Sequence, residues 1–473
     1  MPRGSNRPAG RRRTQGSSCK NAASAARLAA LSACRIVRER DAYAQEVIQS
    51  TIDRSGLSQE DRAFATLLVL GVVSTVGTLD ELIDRSLRSP SDIKPDVRDA
   101  LRISAYELAF LHKEAYAAID QGVELVRAVA PRAAGVGNAA LRHMQRLLPS
   151  FPFGDPETDL AAYARLQGFP LWLAELLKRD LGDAQAREFM RISNEPAPLF
   201  VADNPLIARP GEVVSELERA KAACRPVEEA GIRIPGCWAV TPSRVLADGR
   251  IRHLIGTGKM LVSDASSQCV ANLVLPERQP RTFLEVGAGR GTKTILLEAA
   301  SMRRWGSALP AHAALDNHAF KIRLLLDRVR SYGYDQVEGV VADASHLDGE
   351  LGGRRFDAVF IDAPCSGLGT LRRHPEIRWR LTSAHVSELA ETQLRLLRSA
   401  ARCVEPGGTL AYATCTVTHE ENIEVAKRFL QSPEGAAFSL APIGGASCFS
   451  PLLSSGGPDA HFAVLFENEK AAQ

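Results

Sequence analysis

Five short apolar runs, Thr282 to Val286, Ala313 to Leu315, Val337 to Val341, Ala358 to Ile361 and Thr409 to Ala413, alternate with segments of helical period through the C-terminal part of the chain. Parallel strands need long crossovers, so this alternation predicts an α/β domain with a mostly parallel sheet wound by helices. In such open sheets ligands bind beyond the carboxyl ends of the strands. Each run ends in a residue able to do chemistry, which places Glu285, Asp316, Asp343, Asp362 and Cys415 on one rim.

The first run leads into Glu285-Val-Gly287-Ala288-Gly289-Arg290-Gly291-Thr-Lys293. Glycines at this spacing let the backbone turn tightly and approach a ligand, and the helix that follows offers unpaired N–H groups. The spacing is Gly-x-Gly-x-Gly, which disfavours the dinucleotide pattern Gly-x-Gly-x-x-Gly. Asp316 closes the second run, where an acid can accept both hydroxyls of a ribose, so the order fits an adenosine-containing cofactor. Asp343 closes the third run and either holds an adenine amino group or caps the helix that starts at Ser345.

The sharpest pattern is Asp362-Ala-Pro364-Cys365-Ser-Gly367 paired with Tyr412-Ala-Thr414-Cys415-Thr. A cysteine just past a strand end, fixed by a preceding proline or threonine, suits a nucleophile better than a core position. On neighbouring strands, about 4.8 Å apart, both thiols reach one substrate ring. The other seven of the nine cysteines, Cys19 among them, lack such a context and read as structural. With no Cys-x-x-Cys pair and an odd total, neither a disulfide framework nor a zinc ribbon is expected, and no metal is.

Residues 19–150 carry apolar positions at helical spacing, with Ser58 and Asp61 forming a capping-box start ahead of Phe64, Leu67 and Leu68. They predict an all-α domain. Frequent prolines between Phe151 and Gly258 predict a linker with one or two short helices around Leu171 to Leu181, then a small α/β module in residues 151–258. Residues 259–473 form the last domain. The formal net charge is only +3, yet residues 1–18 gather Arg3, Arg7, Arg11, Arg12 and Arg13 in a segment expected to be disordered, either an arm for RNA phosphates or a solubilising tail. No run approaches the length of a membrane-spanning helix, and the arginine-rich start lacks the apolar core of a secretory signal; a monomeric cytoplasmic protein without a membrane partner is expected.

The stretches Asp362 to Trp379, DAPCSGLGTLRRHPEIRW, and Tyr412 to Asn422, YATCTVTHEEN, resemble the Sun (Fmu) family of RNA cytosine-5 methyltransferases, and the resemblance spans nearly the whole chain. Ser263-Asp264-Ala-Ser-Ser-Gln268 resembles the segment that precedes that family's glycine loop. Asp61-Arg-Ala-Phe64, Ala105-Tyr-Glu-Leu108 and Gly137-Asn-Ala-Ala-Leu-Arg142 resemble a NusB-like RNA-binding domain. The resemblance implies a Rossmann-like class I methyltransferase domain, S-adenosylmethionine as cofactor, and RNA as partner, most simply ribosomal RNA, naked or in an early assembly particle. Two departures stand out. The family's Cys-Ala-Ala-Pro-Gly-Gly-Lys loop is Gly287-Ala-Gly289-Arg-Gly291-Thr-Lys293 here, and its Asp-Gly-Phe-Phe is Asp459-Ala-His461-Phe462.

By the same resemblance Cys415 is the nucleophile that adds to carbon-6 of the base, and Cys365 assists release. Asp362 then holds the ring nitrogen and Lys293 positions Asp362 or the base, while the cofactor meets Glu285, Gly287 to Gly291, Asp316, Asp343 and Asp362. Arg372, Arg373, Arg378 and Trp379 are expected to contact RNA, as a basic and aromatic segment beside the site. Three other functions compete: transfer-RNA methylation, a catalytically silent assembly factor on the same fold, and a dinucleotide oxidoreductase. The cysteine pair and the glycine spacing count against the last.

Overall fold

The computed structural model describes residues 22–469, and the basic segment 1–18 and Cys19 lie outside them. It separates into two units. One comprises Met1–Val72 with Leu79–Phe151, the other Val73–Thr78 with Pro152–Gln473.

The first unit is helical, as its apolar spacing requires. Its helices span Ala25–Arg40, Ala44–Thr51, Gln59–Ser86, Pro95–Ala109, Ala115–Val129 and Ala134–Leu147. The Ser58 hydroxyl accepts the N–H of Asp61 at 3.1 Å, so the capping start forms, and the helix it opens runs on to Ser86. Leu68, Leu79, Leu101, Ile103, Leu125 and Leu141 are wholly buried, whereas Leu28 and Leu67 stay on the surface. Glu107, also buried, is held by Arg27 at 2.6 and 2.8 Å. Helix Gln59–Ser86 corrects the reading that no segment reaches membrane-spanning length: it is long and apolar enough by length and composition, with half of its most apolar window buried inside the protein. A core helix of a bundle passes the same test.

The second unit begins with helices Leu160–Gln167, Leu171–Leu181 and Asp183–Ile192, one more than the proline-rich sequence suggests. A four-stranded sheet follows, built from β1 (Leu199–Asp203), β2 (Ala223–Glu229), β3 (Ile232–Thr241) and β4 (Met260–Val262) in the order β2-β3-β1-β4.

The larger sheet has β5 (Phe283–Val286), β6 (His312–Asp316), β7 (Glu338–Val341), β8 (Phe356–Asp362), β9 (Val404–Thr414), β10 (Phe438–Ala441) and β11 (Phe462–Asn468). Their order is β10-β11-β9-β8-β5-β6-β7; β5 to β9 pair in parallel, while β11 and β10 are antiparallel. All five apolar runs become strands. Alternation sets the two faces: Ala358 and Phe360 pack on one side with Ile295 and Leu296 of helix Thr292–Trp305, Val359 and Ile361 on the other with Leu394 and Leu397 of helix Ser383–Ala401. From β5 the chain crosses to β6 on one side, and β8 lies on the other. The switch point between β5 and β8 is where a crevice opens in a doubly wound sheet.

Candidate active site

Gly287 sits at that switch point with φ of 81°, and a Cβ there would lie 2.3 Å from the Asp362 carbonyl oxygen. Only glycine lets the two strand ends approach so closely. Gly289 and Gly291 are also left-handed, and beyond Gly289 a Cβ would meet nothing nearer than 3.9 Å, so the loop is open where a ligand backbone can lie. Ala288 is buried beneath it and Arg290 is exposed. Asp316 ends β6 with a mostly buried carboxylate that accepts the N–H of His318 at 2.9 Å and faces Lys321 at 3.3 Å. These residues fit an adenosine-bearing group, with the glycine loop toward its chain and Asp316 toward its ribose.

Two expected cofactor residues behave differently. Asp343 is exposed and caps the turn after β7, accepting the Ser345 N–H at 2.9 Å and its hydroxyl at 2.8 Å, which is the capping alternative. Glu285 departs from the rim. Its side chain is fully buried and faces His312, whose Nε2 is 3.3 Å away, an ion-pair distance poorly angled for a hydrogen bond; His312 Nδ1 bonds Glu298 at 2.7 Å. The expectation fails because Glu285 is the last but one residue of β5 and points into the sheet packing, not past its end.

Burial alone pulls the His312 pKa down, but Glu285 and Glu298 outweigh it and raise it to about 9. A histidine whose folded pKa is raised stabilises the fold fully below its unfolded value near 6.5 and loses that contribution as pH climbs through about 9. His312→Gln is therefore expected to be less stable than the parent by on the order of 3 kcal/mol at pH 6, with the gap closing toward pH 10 in denaturant titrations. A constant gap across that range would show that His312 is neutral in the fold.

The two cysteines meet as the strand pairing demands. β8 and β9 are parallel neighbours with Asp362 opposite Ala413, so the residues just beyond them converge. Cys365 Sγ lies 3.2 Å from Cys415 Sγ and accepts the Cys415 N–H at 3.3 Å. Both are free and partly accessible. Lys293, from the first turn of helix Thr292–Trp305, donates to both carboxylate oxygens of Asp362 at 2.8 Å. Catalytic expectations Cys365, Cys415, Asp362 and Lys293 are thus brought together. The thiols are not equivalent. The hydrogen bond from Cys365, and then the Lys293 ammonium, lower the Cys415 pKa, while the same bond and burial raise that of Cys365. Of the pair, Cys415 is the thiol disposed to lose its proton first, with Cys365 as its hydrogen-bond donor.

A brace beneath the thiols was not assigned from sequence. Glu421, fully buried, accepts the Ser366 N–H at 2.7 Å, the Thr418 hydroxyl at 2.8 Å and the Gln393 amide at 3.1 Å. Gln393 also donates to the Pro364 carbonyl at 2.9 Å, and Asn422 ties Thr414 to Thr416. One carboxylate therefore locks both cysteine loops. Its signal was present in the quoted YATCTVTHEEN, but adjacent Glu420 and Glu421 look like a solvated pair until the fold buries one. His461, in place of the family's phenylalanine, is buried, with Nε2 3.3 Å from the Ser267 hydroxyl; burial and then the Lys293 charge hold its pKa near 4, so it is neutral.

The segment expected to touch RNA does not reach out to it. Arg372 has a fully buried side chain that donates to the carbonyls of Ser454, Gly457 and Pro458 and faces Asp459. Arg373 bridges Asp264 and Asp459, each at 2.8 Å. Arg378 is fully buried, stacked 4.1 Å over the Phe169 ring and 2.9 Å from Asn194 Oδ1. Trp379 is half-buried and donates its indole N–H to the Ser74 carbonyl at 2.8 Å. Arg372 and Arg378 are framework, while Arg373 and Trp379 are tied to neighbouring groups and stay partly exposed. They read as a basic surface because sequence does not show the buried carbonyls and carboxylates that await them.

Comparison with known proteins matches two family models to the chain, one described as 16S rRNA methyltransferase RsmB/F over residues 272–447 and the NusB family over residues 24–146. A probable ribosomal RNA small subunit methyltransferase B from Synechocystis is 31% identical over 85% of this chain and 87% of its own. The protein of the same description from Bacillus subtilis is 29% identical over the same shares. The crystal structure of PH0851 covers 93% of this chain and 98% of its own at a TM-score of 0.75 and 24% identity, a shared fold.

Proposed function

Because the chain belongs to the RsmB/F family of 16S rRNA methyltransferases, we propose that it methylates carbon-5 of a cytosine in small-subunit ribosomal RNA, using S-adenosylmethionine and a covalent cysteine–cytosine adduct. The observation that carries the chemistry is the pair of thiols 3.2 Å apart with the Lys293–Asp362 pair beside them.

Carbon-5 of cytosine is a poor nucleophile. Addition of the Cys415 thiolate to carbon-6 forms a C–S bond and moves electron density to carbon-5. The ring nitrogen takes up a proton as this density arrives, and Asp362, steadied by Lys293, accepts a hydrogen bond from the nitrogen in its protonated form and stabilises that form during attack. When bound, S-adenosylmethionine supplies an electrophilic methyl group; Gly287, Ala288, Gly289, Arg290 and Gly291 would hold its chain and Asp316 its ribose. Release follows: the carbon-5 proton passes to water, its electron pair re-forms the ring double bond as the C–S bond breaks, the ring nitrogen gives back its proton, and the departing Cys415 thiolate is received by the hydrogen bond of the Cys365 thiol. Glu421 acts through the loops, as a positioning residue.

A catalytically silent scaffold is disfavoured by the intact thiol and Lys–Asp constellation, and transfer RNA by the family matched. The purified protein is expected to bind S-adenosylmethionine and not NAD by calorimetry. With labelled methyl donor and 16S rRNA, nuclease digestion should release label as 5-methylcytidine. Label in another nucleoside, label in transfer RNA only, or NAD binding of comparable affinity would overturn the reading.

A further inference from the structure

The helical unit holds a cleft of about 900 Å³ between the segment from Ser86 to Val97 and the segment from Ala130 to Arg146. Arg88, Lys94, Arg132 and Arg146 line it, all four exposed, against one acid, Asp92. Elsewhere in this unit cations are mostly matched: Arg27 with Glu107, Arg38 with Asp96 and Asp99, Arg98 with Asp80 and Asp84, Arg102 with Asp80 and Asp99. None of the four cleft cations forms an ion pair among the described residues. Four uncompensated positive charges around one concavity make a local field that attracts an anion.

The lining also says which kind. The residues around the cleft include no Phe, Tyr or Trp, and the floor is aliphatic, with Val97, Ala130 and Val136 among it. Splayed single-stranded bases are normally held by stacking on several aromatic rings, and the one ring in this lining, His143, is tied through Nδ1 to the Ser86 carbonyl at 3.2 Å. Lysine and arginine heads above an aliphatic floor suit phosphates spaced along a backbone, with the side-chain stems covering the apolar surface. We propose that this cleft holds the sugar-phosphate backbone of folded RNA without reading its sequence, an anchoring site on a unit that carries none of the reacting groups. The proposal rests on the reading of the substrate as RNA.

The test uses the full chain and two synthetic RNA hairpins of equal length and unrelated sequence. Arg132→Glu with Arg146→Glu is compared with Arg40→Glu plus Arg54→Glu, two exposed arginines outside the cleft, so both variants change the net charge equally. The cleft variant is expected to bind both hairpins at least about tenfold more weakly, with the salt slope shallower by about one for each phosphate no longer neutralised, while the control weakens far less. Unaltered melting temperature and S-adenosylmethionine affinity in each variant keep this outcome separate from any failure of the methyltransferase reading. Equal weakening in both variants would reduce the effect to global charge and overturn the proposal. So would weakening confined to one hairpin, which means base readout. Retained hairpin affinity with abolished binding of an alternating Glu-Leu peptide would overturn it too, by giving the cleft to an acidic protein segment.

Discussion

Enzyme carrying Cys415→Ala should lose turnover by about 10,000-fold or more and form no RNA adduct, whereas Cys365→Ala should accumulate on RNA as a complex that survives denaturing electrophoresis. The contrast follows from where the proton of the thiol pair sits. Cys415 is the member nearer ionisation, because the Cys365 hydrogen bond and the Lys293 ammonium favour its thiolate. Alanine there cannot add to carbon-6. Cys365 is the protonated partner, its pKa raised by that bond and by burial. Removing it takes a hydrogen bond from Cys415 but leaves the Lys293 ammonium to favour the thiolate, so addition and methyl transfer still proceed, more slowly, while release stalls without the group that assists breakdown. One gel of the two variants with radiolabelled 16S rRNA decides the matter. If the trapped complex belongs to Cys415→Ala, the two roles are exchanged.

Most of the α/β domain was legible because its information is local. An apolar run of three to five residues with a chemically able residue at its end is visible without any knowledge of neighbours, and all five such runs became strands of one sheet. The cysteine pair was legible for the same reason, since a residue placed just past a strand end stays at the rim whatever the strand order. Glu285 shows the limit: it lies one residue inside its strand end, and a shift of one residue along a strand turns a side chain from one face to the other. The long helix Gln59–Ser86 shows another. Its start was readable from Ser58, but no comparable stop signal marks where apolar spacing gives way, and its length emerged only from packing. Glu421 was illegible because its partners lie in Ser366, Thr418 and Gln393, on three separate segments.

Arg378 carries the largest consequence of that limit. Sequence gives a basic residue beside an aromatic one near the site, the pattern of an RNA contact, whereas the fold buries its guanidinium completely on Phe169 and against Asn194. Burial works against its charge, and the nearby Glu376 offsets this in part. The two placements predict opposite phenotypes. A surface contact to phosphate, when removed, weakens RNA binding and reduces the salt slope by about one while leaving stability alone. A buried arginine, when truncated, leaves a cavity above an aromatic ring and carbonyls without their donor, and costs about 3–5 kcal/mol. Arg378→Ala is therefore expected to lower the denaturation midpoint strongly, with the salt slope of RNA binding unchanged for the folded fraction. Arg378→Met, which refills the volume over Phe169 without the charge, should recover part of the stability. A variant that melts like the parent but binds RNA with a shallower salt dependence would return Arg378 to the surface role that its sequence context suggests.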